Sequence, residues 1–236
     1  MRRKSSGKLL LEVCVDSVES AIAAQKGGAG RIELCADLSS GGITPSAGMI
    51  TAARNCLSIG LHVMIRPRGG DFCYSSAEFS VMQRDIIAAR QFGADGVVFG
   101  ILNRNGTVDT GRTRKLVALS RPLPVTFHRA FDAVADPFQA LEEIIDMGID
   151  RILTSGQATT AIKGVNVIGK LVRQAASRIV VMPGSGITQK NVQSILGRTG
   201  ATEIHACTGV ARKVRGAVRF DTDPVKVRHF IAAMHR

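Results

Sequence analysis

Gly28-Ala29-Gly30-Arg31-Ile32-Glu33-Leu34-Cys35 decides the fold of this 236-residue chain once its echoes are found. A glycine, an Ala or Ile, two further residues and then Ile or Val recur three more times. They read Gly93-Ala94-Asp95-Gly96-Val97, Gly148-Ile149-Asp150-Arg151-Ile152 and Gly200-Ala201-Thr202-Glu203-Ile204. The intervals are 65, 55 and 52 residues, about two strand-helix units each. Such a glycine ends a helix in the left-handed conformation and hands the chain to the next strand. The repeat therefore marks strands two, four, six and eight. Outward from it, short β-branched runs fall at Leu9–Val15, Arg31–Cys35, Leu61–Arg66, Asp95–Gly100, Pro124–His128, Arg151–Ser155, Arg178–Met182 and Thr202–Ala206. Between them apolar residues recur at helical spacing, as in Val18-Ile22-Ala23 and Phe138-Leu141-Ile144-Ile145. Helix starts are signalled by Asp16-Ser17 before Glu19, by Asp136-Pro137 and by Thr188 before Gln189. Parallel strands need helical crossovers. Four similar double units favour a (βα)8 TIM barrel over a doubly wound sheet, whose halves would reverse direction. The expectation is a basic, flexible N-terminus over residues 1–8 and one barrel domain over residues 9–236.

The repeats also fix the pleat. Ile32, Val97, Ile152 and Ile204 share one register and should face the helices, so their neighbours point inward. The inward set is Arg31, Glu33 and Cys35; Gly96, Val98 and Gly100; Arg151, Leu153 and Ser155; Glu203, His205 and Cys207. Glu12, Cys14 and Asp16 share a face on the first strand, and Thr126 and His128 on the fifth. Barrel interiors are normally filled by Val, Ile and Leu. Buried charges must be paired, so the deep ones predict ion pairs of Arg31 or Arg151 with Glu12, Glu33 or Glu203. At the carboxyl ends of the strands, where barrels carry their sites, lie Cys14, Asp16, Cys35, Asp37, Arg66, Arg68, Asp71, His128, Arg129, Asp132, His205 and Cys207. So many polar groups at one mouth point to a ligand site.

Composition narrows the class. The formal charge is +12, yet residues 1–8 carry four basic groups and no acid, and residues 209–236 a net of +5. The intervening chain is left at +3. Aromatics are 4% with no Trp, which argues against the stacking surfaces of specific nucleic-acid binders. Binding of an acidic partner by the basic ends stays as a third reading. No apolar run reaches the roughly 20 residues that span a bilayer, and no apolar signal core follows the basic N-terminus. Five cysteines without close paired spacing read as reduced thiols in an intracellular setting.

Three chemistries fit the mouth. Cys14 and Cys35 sit at the ends of adjacent strands about 4.8 Å apart and suit a soft, low-coordinate ion such as Cu(I). Cys207 and His205, on the strand that closes against the first, can join them, whereas Cys56 and Cys73 read as structural. Glu33, His128 and Asp132 are candidates for proton transfer. Asp16, Arg66, Arg68, Asp71, Arg129 and His205 are candidates for binding a phosphate- or carboxylate-bearing metabolite. Gly184 and Gly186 join them in the loop Met182-Pro183-Gly184-Ser185-Gly186-Ile187-Thr188, because barrels bind anions on backbone N–H groups after strands seven and eight.

Longer strings add a resemblance. Leu11-Glu12-Val13-Cys14-Val15-Asp16, Arg31-Ile32-Glu33-Leu34-Cys35, Gly41-Gly42-Ile43-Thr44-Pro45-Ser46, Met64-Ile65-Arg66-Pro67-Arg68-Gly69-Gly70-Asp71-Phe72, Thr126-Phe127-His128-Arg129-Ala130-Phe131-Asp132 and Leu153-Thr154-Ser155-Gly156 resemble, in order, the copper homeostasis protein CutC family. Animal members look closest. The resemblance implies a (βα)8 barrel, a cytoplasmic and in animals also nuclear location, homo-oligomers, and Cu(I) bound through Cys14 and Cys35. It implies no organic cofactor and leaves any catalysis unassigned. The chain departs from the family pattern at Ser185, where a glycine is usual, and at Ala206-Cys207-Thr208, where a Ser and an Arg-bearing loop are usual. The second departure supplies a third thiol.

Overall fold

Each sequence unit becomes one strand and one helix in the computed structural model, which describes residues 9–213 and 220–236. The basic stretch 1–8 and part of the basic C-terminal stretch lie outside the described residues. The strands are β1 (Leu10–Val15), β2 (Arg31–Leu34), β3 (Gly60–Met64), β4 (Gly96–Phe99), β5 (Val125–Phe127), β6 (Arg151–Thr154), β7 (Val180–Pro183) and β8 (Glu203–Ala206). The helices between and after them are α1 (Val18–Gly27), α2 (Ala47–Cys56), α3 (Ser76–Gln91), α4 (Thr110–Ser120), α5 (Pro137–Asp146), α6 (Val165–Ala175), α7 (Val192–Thr199) and α8 (Pro224–Met234). All eight strands are parallel, in the order β7-β6-β5-β4-β3-β2-β1-β8. The architecture is a nearly closed (βα)8 barrel in a single domain. Among the described residues no ladder joins β7 to β8, yet the two meet: a Cβ on Gly184 would lie 3.4 Å from the His205 Cβ.

The repeat glycines do what the pattern requires. Gly28, Gly93, Gly148 and Gly200 have φ of 97, 87, 73 and 75°, and each turns the chain from a helix toward a strand. Ile32, Val97, Ile152 and Ile204 are all sealed in the apolar layer between strands and helices. Caps follow the sequence signals at α1, where Ser17 accepts from Ser20 N–H, and at α5, where Asp136 accepts from Phe138 and Gln139 N–H behind Pro137.

Helices α1 and α5 stand where the apolar spacing places them, while one helix start needs correcting. The inner face of α1 is Ser20, Ala21, Ala24 and Gly27, with Val18 packed partly buried against the core. Close approach of α8 selects small residues there, since a Cβ on Gly27 would lie 2.4 Å from the Val227 Cβ. In α5 Pro137, Ala140, Leu141 and Ile144 are buried, and Phe138 and Ile145 pack against the core. The segment after Thr188 is first a turn, because the Asn191 side chain accepts from Thr188 N–H at 2.8 Å and donates to the Gly186 carbonyl at 3.0 Å. Helix α7 starts only at Val192. A small hairpin of β9 (Ala211–Lys213) and β10 (Phe220–Thr222), which the strand pattern does not announce, precedes α8.

Inside the barrel the lower layer is an ion-pair network. Arg31 donates from Nε to Glu12 Oε2 at 2.5 Å and from a terminal nitrogen to Glu203 Oε2 at 2.5 Å. Arg151 grips both oxygens of Glu203, at 2.6 and 3.1 Å. That bidentate pair ties β6 to β8 past β7, across the seam that lacks a ladder. Inward glycines have a reason as well. A Cβ on Gly96 would lie 2.5 Å from His62 Nε2, and one on Gly100 would lie 2.7 Å from His128 Nδ1. The missing side chains make room for two imidazoles. Gly100→Ala is expected to displace the His128 ring and destabilise the fold by about 1–3 kcal/mol, the usual cost of overpacking. Urea denaturation together with the His128 ring signals in NMR checks this, and an unshifted ring in a fully stable variant would contradict it.

Candidate metal and ligand site

The upper layer of the interior opens into a cavity of about 440 Å³ at the carboxyl ends of the strands. Cys14, Glu33, Arg66, His128, Arg129, Ser185, Gly186, His205 and Cys207 are among the residues lining it. Thus strands β1, β2 and β8 and the loops after β3, β5, β7 and β8 converge on one space.

The thiols form the floor on one side. Register places Cys14 opposite Glu33, and Cys35 follows β2 with its N–H on the Val15 carbonyl. Cys14 Sγ and Cys35 Sγ are 3.8 Å apart, and Cys35 Sγ is 3.7 Å from Glu33 Oε2. The three residues present donors that all lie within 4.8 Å of one another. Met64 and Val98 pack around the pair, and Cys207, half-buried, packs against it. Burial and Glu33 push the Cys35 thiol up to about 12, although its hydrogen bond with Cys14 works the other way. Hydrogen bonds with Cys207 and Cys35, then burial, push Cys14 well above an ordinary thiol. Two adjacent sulfurs beside the Glu33 carboxylate suit a soft monovalent cation that displaces the protons.

Glu12, His205 and Glu33 form a chain beside the thiols. His205 Nδ1 lies 2.8 Å from Glu12 Oε1, and its Nε2 lies 3.8 Å from Glu33 Oε2. Burial opposes charge on His205, but Glu33 and Glu12 outweigh it and raise its pKa to about 9. Burial likewise works against ionised Glu12, yet Arg31 and His205 hold it below the ordinary carboxylate range. Glu33 is raised by burial and by Glu12. His128 faces the opposite environment: burial, then Arg66, lower it to about 3, and it is neutral. Its Nδ1 accepts from the Ala130 N–H at 3.2 Å, which leaves the proton on Nε2. Burial lowers His62 to about 4.

Opposite shifts on these histidines set a pH profile. The His205 imidazolium stabilises the folded state fully below its ordinary 6.5, and this stabilisation is lost as pH rises through about 9. His62 and His128, held below 6.5, subtract stability as pH falls from 6.5 toward 4. Stability measured by urea denaturation is expected to peak at about pH 6.5. His205→Gln should flatten the alkaline limb; an equally steep limb in that variant would contradict the assignment.

Other side chains singled out by sequence are occupied elsewhere. The Asp132 carboxylate accepts from Thr154 and Ser155 hydroxyls at 2.5 and 2.9 Å, from Ser155 N–H at 2.9 Å and from Arg129 Nε at 2.8 Å. It clamps the loops after β5 and β6. Arg68 binds Glu78 at 2.6 Å and Asp71 at 2.9 Å on a neighbouring surface cavity, away from the thiols. Arg66 holds the carbonyls of Ser40, Gly42 and Gly70 at 2.8–3.1 Å and stacks on Phe72, while its Nε has no partner. Asp16 lies in an adjoining cavity with Asp37, whose carboxylate is bonded to Ser39 and Ser40. Gly184 is packed against Leu153 behind the wall, and Gly186 lines it. Ser185 takes φ of 77° and turns its hydroxyl to the Thr159 carbonyl at 3.1 Å. His62, Met64 and Phe72 contribute to the interior without a sequence signal that marked them.

Comparison with known proteins agrees with this fold. The CutC family profile matches residues 9–210. The copper homeostasis protein cutC homolog of Mus musculus is 54% identical over 214 residues, covering 88% of this chain and 79% of its own length. The Homo sapiens homolog is 55% identical over 196 residues, covering 83% and 72%. A crystal structure of the CutC protein from Streptococcus agalactiae superposes with a TM-score of 0.81 at 36% identity, over 85% of this chain and 98% of that one. Thiamine phosphate pyrophosphorylase from Pyrococcus furiosus shares the fold alone, at 17% identity and a TM-score of 0.65. With the barrel fold and the sequence in accord, the chain belongs to the CutC family.

Proposed function

We propose that this protein binds Cu(I) through Cys14 and Cys35 at the mouth of its barrel and serves copper homeostasis. The observation that carries the reading is the 3.8 Å approach of two buried thiols brought together from adjacent strands. Thiolate selects soft metals, and Cu(I) accepts the low coordination number a buried pair offers. The copper homeostasis proteins of mouse and human at 54% and 55% identity support the same role. Reduced thiols go with a cytoplasmic location, extended to the nucleus in animals, and assembly as a homo-oligomer belongs to the same proposal. Anaerobic titration against a colorimetric Cu(I) chelator should give about one ion per chain, set by the Cys14–Cys35 pair. That binding should be lost in Cys14→Ser/Cys35→Ser, and unchanged binding in the double variant would overturn the assignment.

One observation favours a second reading. The cavity is far larger than an ion, and Glu33 Oε1, Arg66 Nε and His128 Nε2, all on side chains lining it, lack partners. Those groups are suited to a small phosphate- or carboxylate-bearing metabolite, with Glu33 or His128 moving a proton and Arg129 at the rim. A thermal-shift screen of anionic metabolites tests this; no stabilising compound would count against it.

A further inference from the structure

The thiols at the mouth are graded in burial. Cys207 is half-buried and lines the cavity, Cys14 lines it at 7% exposure, and Cys35 is fully enclosed behind it. Cys14 Sγ lies 3.8 Å from Cys35 Sγ and Cys207 packs against the pair, so the thiols lead from the opening inward. Cys14 and Cys207 also line the adjoining cavity of about 390 Å³ that holds Asp16 and Asp37. They therefore stand in the partition between the two cavities. The compact donor group comprises Cys14, Cys35 and Glu33, and Cys207 lies outside it while packing against the cluster that holds both thiols.

We infer that Cys207 is a transfer ligand, which takes Cu(I) from a small thiolate complex in the cavity and passes it to the Cys14–Cys35 pair. The inference rests on the Cu(I) reading above. Direct attack of a bulky complex at Cys35 is barred by its burial, and exchange between thiolates depends on access to the sulfur. From a complex carrying two external thiolates, Cys207 bonds to Cu(I) and its proton leaves on one external thiol. Cys14 then bonds, and its proton leaves on the second. Finally Cys35 bonds as the Cu–Cys207 bond breaks, and the Cys35 proton passes to Cys207. Copper remains Cu(I) throughout, and only sulfur lone pairs and protons change place.

Stopped-flow loading of the full chain from Cu(I)–glutathione tests this, beside chelator competition at equilibrium. Cys207→Ser should retain one Cu(I) per chain and an affinity within about threefold of the parent, yet load and release roughly tenfold or more slowly, because the accessible sulfur is gone. Cys207→Ala should behave alike, and matching thermal melts exclude misfolding as the cause. Loading at the parental rate would overturn the inference. Loss of affinity in proportion to rate would also overturn it, by making Cys207 a permanent ligand. Failure of the unaltered protein to bind Cu(I) would overturn the proposed function and this inference together, whereas unaffected loading of Cys207→Ser would leave the proposed function standing.

Discussion

Arg31→Met is expected to destabilise the barrel by about 3–5 kcal/mol, the usual result of breaking a buried ion pair on one side. Glu12 is wholly enclosed, and Arg31 is its nearest cation, at 2.5 Å. Once Arg31 is gone, the ion-pair partners left among the described residues are His205 for Glu12 and Arg151 for Glu203. Methionine fills much of the volume, so the loss reports the uncompensated carboxylates rather than a void. For a chain of this size the melting temperature should fall by roughly 10 °C. Arg31→Lys should recover only part, because an ammonium cannot fork between two carboxylates as the guanidinium does. Urea denaturation of the three proteins decides the matter, and a loss below about 1 kcal/mol, the range of surface pairs, would contradict it. The pairing also connects β1, β2, β6 and β8, so the same substitution should increase amide exchange in β8, whose only ladder among the described residues is to β1.

The second large effect is on copper. Cys14→Ser and Cys35→Ser should each lower Cu(I) affinity on the order of 1,000-fold, about 4 kcal/mol, since a hydroxyl is a hard and weakly acidic replacement for a soft thiolate. Neither variant should unfold the protein, because serine keeps the shape of the side chain. Cys56→Ser, on the exposed end of α2, should bind as the parent does. Comparable losses in all three variants would mean that oxidation state rather than ligation governs the measurement. Equal retention in Cys14→Ser and Cys35→Ser would remove both residues from the site.

Most of the fold is legible because glycine and β-branched residues act locally. The four repeat glycines need left-handed backbone wherever they stand, and the alternation along each strand is fixed by the pleat. That alternation correctly turns Arg31, Glu33, Arg151, Glu203 and His205 inward and Ile32 outward. It fails where tertiary approach decides. The small inner face of α1 depends on how closely α8 comes, and the start of α7 depends on an Asn191 side chain bridging a turn. Strand β3 lies outside the glycine repeat, so His62 and Met64 have no register to reveal them. Gly96 and Gly100 look featureless until the imidazoles opposite them are seen.

The mouth is legible as a group of residues but not as a division of labour. Sequence places Asp132, Arg68 and Asp71 near the strand ends, and nothing local shows that their charges are already engaged by Thr154, Ser155, Glu78 and one another. Conversely, the separation of Cys14 from Glu33 and Cys35 depends on strand register and side-chain rotamer together. Only the adjacency of the strands is readable in advance. The graded burial of Cys207, Cys14 and Cys35 emerges from the loops that cover them.

X-ray absorption at the copper edge tests the central claim most directly, on the reduced protein carrying one equivalent of Cu(I). The parent should show a low-coordinate Cu(I) shell containing two sulfurs, lost in Cys14→Ser/Cys35→Ser. A shell of nitrogen or oxygen alone, or a sulfur shell that persists in the double variant, would contradict the account.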